Sequence, residues 1–86
     1  MDLFIKVAPR HYEQLRSQIP SESPAHEAID RATRIDYSLE GVLFEGYNIP
    51  CNEEQAQIIL ETAQQCCSEI ASDIEHAIRR VRRRPA

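Results

Sequence analysis

At 86 residues, 42% apolar and with a formal net charge of −4, the chain has the size of one small domain. Its apolar content excludes a disordered chain. No apolar run approaches the ~20 residues of a membrane span, so no membrane partner is expected. The N-terminus lacks the basic start and apolar stretch of a secretory signal. Three cysteines are an odd number, and Cys66 and Cys67 are neighbours, where a mutual disulfide would be strained. The reading is a cytoplasmic protein in a reducing compartment.

The net charge conceals a segregation. Residues 1–34 carry five acids and five bases, and residues 35–78 carry nine acids and no Lys or Arg. Residues 79–84 carry five Arg and no acid. Residues 1–86 therefore read as a single acidic domain whose last segment, 79–86, is a basic C-terminal tail.

Leu3-Phe4-Ile5-Lys6-Val7 is a run of β-formers closed by Ala8-Pro9, which predicts a short strand, at a sheet edge given the proline. Pro9 suits the first turn of a helix reaching Gln18, with Tyr12, Leu15 and Ile19 along one side. Ser23-Pro24 is a second start signal, an N-cap followed by proline at the first helical position. Ala25, Ala28, Ile29, Ala32 and Ile35 then share a helical face, and Glu27–Arg31 and Asp30–Arg34 are i,i+4 pairs. Helix is expected over about 24–34.

The next stretch carries two patterns. Leu39 continues the helical row, yet Ile35, Tyr37 and Leu39 alternate with Asp36, Ser38 and Glu40 as in a strand, and Glu40-Gly41 suits a hairpin turn. The favoured reading ends the helix near 36–39 and makes 42–45 a short extended segment able to pair with 3–7. Residues 46–51 are then a loop, with Tyr47 or Ile49 under the following helix.

From Asn52 the signal is strong. Asn52 is an N-cap, and Glu53-Glu54-Gln55 puts acid in the first turn with Gln at the capping-box position. No Gly or Pro follows until Pro85. Ile59, Leu60, Ala63, Cys66, Cys67, Ile70, Ile74, Ile78 and Val81 fall in one arc of a 3.6-residue helix. Such a helix would run about 46 Å at 1.5 Å per residue, against a domain diameter of about 30 Å. It must bend or break near Ser68–Ser72, or project an apolar stripe that monomers avoid. Projection would put Ile70, Ile74, Ile78 and Val81 against a partner. The polar flank would add Glu61, Glu69 and Asp73, and Ile58, which lies off the stripe, a second contact point.

Chemistry is thin beside this. Gly41 and Gly46 are the only glycines, so a Gly-rich phosphate loop is excluded. G-x-S-x-G, H-E-x-x-H and EF-hand patterns are absent. Glu69, Asp73 and His76 share a helix edge, but on a solvated side, and the cysteines lack C-x₂-C pairing. No metal, cofactor or catalytic residue is assigned. Buried thiols are expected at Cys66 and Cys67, and surface positions at His11 and His26.

The expected fold is mainly α: a short N-terminal β element, two short helices and one long C-terminal amphipathic helix. The alternative is α+β with a small three-stranded antiparallel sheet. The expected function is a non-catalytic protein–protein interaction module, homodimeric or bound to a larger target that it regulates or inhibits. Its acidic surface would resemble nucleic acid. The alternative is a nucleic-acid-binding regulator that uses Arg79, Arg80, Arg82, Arg83 and Arg84 to neutralise phosphates.

Overall fold

The computed structural model describes residues 3–82. The chain is α+β: strand β1 (Leu3–Val7), helices α1 (Pro9–Gln18) and α2 (Pro24–Asp30), strands β2 (Thr33–Leu39) and β3 (Val42–Cys51), and helix α3 (Glu53–Cys66). A single 3-10 turn (Ser68–Ile70) then leads into helix α4 (Ala71–Arg82). The antiparallel sheet has the order β1-β3-β2. The α+β alternative therefore describes the architecture better than a mainly α chain does.

The start signals act as the residues dictate. Ser23 Oγ accepts from the Ala25 N–H at the head of α2, and proline opens both α1 and α2. At the head of α3, Asn52 Oδ1 accepts from the Gln55 N–H at 2.8 Å, while Gln55 Oε1 accepts from the Asn52 N–H at 3.0 Å. The Gln55 amide also donates to the Pro24 carbonyl at 3.1 Å. The capping box thus ties α3 to the first turn of α2.

Two expectations are overturned between residues 31 and 51. α2 stops at Asp30, and the alternating pattern prevails over the helical row, because Glu40 (φ 52°) and Gly41 (φ 80°) form a two-residue hairpin turn. Positive φ at both central residues matches the right-handed strand twist, at a cost of about 1 kcal/mol for the non-glycine Glu40. Arg34 consequently lies on β2, where it bonds Glu45 rather than Asp30. The segment read as a loop, 46–51, is the half of β3 that pairs with β1, from Val7↔Tyr47 to Leu3↔Cys51. Gly46 permits this crowding: a Cβ there would sit 2.7 Å from the Val7 carbonyl oxygen.

The single long helix is also corrected. It breaks at Cys67, whose backbone leaves the helical region (φ −151°, ψ 66°). The break is inexpensive, since the Cys67 N–H still donates to the Ala63 carbonyl and the Ile70 N–H to the Cys67 carbonyl. Only a few intrahelical bonds of about 1 kcal/mol each are forgone. The gain is larger. The chain turns back so that Ile70, Ile74 and Ile78 join the core, each burial contributing about 2 kcal/mol.

The core lies between the sheet and the helices. Leu3, Ile5 and Val7 face inward from β1, Ile49 and Cys51 from β3, and Leu15, Ile29, Ile59 and Leu60 from the helices. Tyr12 stacks on Tyr47 with ring centroids 4.0 Å apart, and its hydroxyl donates to the Ile29 carbonyl at 2.9 Å. The body measures 36 × 34 × 22 Å. No helix among the described residues is long and apolar enough to cross a membrane.

Candidate interaction surfaces

The residues expected to meet a partner are placed by the break at Cys67. Ile70, Ile74 and Ile78 are buried by the chain itself, and Ile58 and Val81 are half-buried against the same core. The C-terminal stripe is an internal surface. Its polar flank is exposed at Glu61, Glu69 and Asp73. Glu69 sits in the 3-10 turn rather than on a helix with Asp73 and His76, so the edge those three were expected to share is divided. His11 is buried instead of lying on the surface, and its Nε2 is 2.8 Å from Glu69 Oε1. His26, half-buried, lies 3.1 Å from Asp30 across one helical turn. No group of three His, Cys, Asp or Glu that could hold a metal occurs among the described residues.

The cysteines are all thiols. Cys67 is buried and Cys66 half-buried, with their sulfurs 3.3 Å apart at the helix break. Burial, then the Cys66 thiol beside it, push the Cys67 thiol up to about 12.

The basic tail divides as well. Arg79 bonds Glu75 one turn back. Arg80 lines an open groove of about 560 Å³ between β1 and α4, with Phe4, Lys6, Asn48 and Val81. Neither Lys6 nor Arg80 forms an ion pair among the described residues. Asn48 Oδ1 is buried there without a hydrogen-bond partner among the described residues. Arg83 and Arg84 lie outside the described residues, and of Arg82 only the backbone is described.

The surface that sequence reasoning missed is the β2–β3 arm. β2 packs against β3 and little else, whereas β3 also meets α1, α2 and α3. At its tip Val42 is 55% and Leu43 70% exposed. They lie on adjacent positions of one strand and so on opposite faces of the arm. Beyond β2 there is no further strand among the described residues. β1, at the other edge of the sheet, is flanked by α4. The register from Thr33↔Asn48 to Leu39↔Val42 is continuous, without a bulge, and β2 contains neither proline nor lysine. These are the devices that commonly blunt an edge. The alternation Ile35-Asp36-Tyr37-Ser38-Leu39 was the available signal, masked by the competing helical row.

Electrostatics mark the same arm. Asp36 and Glu45 are register partners across the ladder, an opposition of like charges that destabilises a strand pair. Arg34 Nη2 donates to Glu45 Oε2 at 2.9 Å, with both side chains more than half exposed. Asp36 has no ion pair of its own among the described residues.

Compared with family models, curated proteins and solved structures, the chain matches none.

Proposed function

We propose that this protein is a non-catalytic protein–protein interaction module, and that its contact surface is the β2–β3 arm rather than the C-terminal helix. One observation carries the reading. Val42 and Leu43 are exposed on both faces of the hairpin tip, uncovered among the described residues, in a chain small enough to need its large apolar residues for the core. Phe4, 58% exposed on β1, adds a third uncovered large side chain. An arm of this kind offers main-chain pairing along its edge and apolar anchoring at its tip.

The test compares the wild type with Leu43→Ser as affinity baits in cells of the native host. Proteins retained by the wild type and lost by the variant, with unchanged circular dichroism, support the reading. Identical retained sets overturn it. Leu43 supports nothing in the core, so the variant folds.

A second reading has its own observation. Lys6 and Arg80, without an ion pair among the described residues, line one groove with the exposed ring of Phe4. Cations beside an aromatic platform suit a single-stranded nucleic acid, whose bases stack and whose phosphates pair. Salt-dependent titration of a labelled oligonucleotide against wild type and Lys6→Ala/Arg80→Ala decides it. Equal affinities, or binding indifferent to salt, reject it.

A further inference from the structure

We propose that β2 is a self-association edge. Two copies pair their β2 strands antiparallel about a two-fold axis at Ile35, so that Arg34 of each meets Asp36 of the other. This rests on the interaction reading above and names its occupant, a second copy of this chain.

The backbone restricts the choice of register. Leu39 and Val42 flank the two-residue turn, so the odd-numbered residues of β2 bond β3. Arg34, Asp36 and Ser38 turn their N–H and C=O groups to the open side. A symmetric antiparallel pair must match these residues with one another, which allows axes from residue 34 to 38. An axis at 34 sets Arg34 against Arg34, and one at 38 sets Asp36 against Glu40, both like-charge oppositions. An axis at 36 sets Asp36 against Asp36 of the second copy, a like-charge opposition. An axis at 37 leaves Arg34 opposite Glu40, a turn residue at φ 52° that cannot join a ladder. An axis at 35 pairs Thr33 through Tyr37, and makes two Arg34–Asp36 ion pairs across the seam.

That register also answers the charge imbalance of the single copy. Asp36 and Glu45 face each other, and Arg34 bonds Glu45 while Asp36 has no ion pair among the described residues. The second copy brings the missing cation to Asp36. The same register carries each tip, with Val42 and Leu43, toward the end of the other copy's α2. Glu40 there approaches the exposed Arg31. A five-residue seam with a tip contact is at the small end of specific interfaces, so the dissociation constant is expected in the micromolar range.

Sedimentation equilibrium of the full chain from about 1 μM to 1 mM is the measurement. The wild type is expected to form a dimer of twice the chain mass. Asp36→Arg weakens the dimer about tenfold or more by setting Arg34 against arginine, and Arg34→Asp does so by setting Asp36 against aspartate. Asp36→Arg at the same time removes the opposition to Glu45, so the single copy melts no lower than the wild type; loss of the dimer then cannot be loss of fold. Mixing the two variants restores association to within a few-fold of the wild type, because each arginine again meets an aspartate. A wild type that stays single at about 1 mM overturns the proposal. So does a dimer indifferent to Asp36→Arg, or variants that fail to rescue each other. None of these results touches the wider interaction reading, which stands or falls on the Leu43→Ser comparison.

Discussion

His11 Nε2 lies 2.8 Å from Glu69 Oε1, although 58 positions separate them in the chain. The contact fastens α1 to the 3-10 turn where the C-terminal helical segment changes direction. The Glu69 carboxylate is held below the usual range, first by its own backbone N–H and then by His11. A carboxylate lowered on folding stabilises the fold above the unfolded value near 4.5, and that contribution is lost as pH falls through the folded value. Urea midpoints of wild type and Glu69→Gln should therefore differ at pH 7 and converge below about pH 4.5. A gap that stays constant down to pH 3 removes the carboxylate from the account.

Ile74 distinguishes a stripe covered by its own chain from one awaiting a partner. It is 1% exposed, so Ile74→Ala leaves a cavity in the core and is expected to cost about 2–5 kcal/mol in a dilute single copy. Chemical denaturation in the low micromolar range checks this. A cost below about 0.5 kcal/mol, the level of an ordinary surface change, contradicts the packing of α4 described above.

Gln55 performs two tasks, closing the capping box and reaching the Pro24 carbonyl. Asn52→Ala removes a cap alone and is expected to cost about 1 kcal/mol. Gln55→Ala also strips the bond to α2, and should cost roughly 1 kcal/mol more. Equal losses for the two variants would mean that the Pro24 contact contributes nothing to stability.

Cys66 and Cys67 differ in environment despite their adjacency. Half-buried Cys66 is expected to react with iodoacetamide in the native state, while Cys67, buried and with its thiol pushed up to about 12, waits for unfolding. Peptide mass spectrometry after timed labelling reads the order directly. Raised thiol and phenol values have a linked effect. Tyr12 is also raised, chiefly by burial. Both groups stabilise the fold below their unfolded values, near 9.0 and 10.0, and that stability is lost as pH climbs through the higher folded values. Alkaline melting should therefore steepen above pH 9, and less so in Cys67→Ala.

Local signals were legible in the sequence wherever one pattern acted unopposed. The Asn52–Gln55 box, the Ser23-Pro24 start and the β1 run depend on residues within four positions of each other, and they form as written. The stretch 33–45 carried helical and alternating patterns together. The choice fell to β3, which offered β2 a ladder that an isolated segment does not possess. The same limit applies to the last thirty residues. Their periodicity specifies apolar faces but not the direction of the chain, and packing of α4 against α3 and β1 makes it favourable to break at Cys67 and bury Ile70, Ile74 and Ile78. Composition and spacing thus determined which side chains leave water. The tertiary structure decided which surface was left over, because the helices cover one region of the sheet and leave the β2 edge, Val42 and Leu43 in solvent.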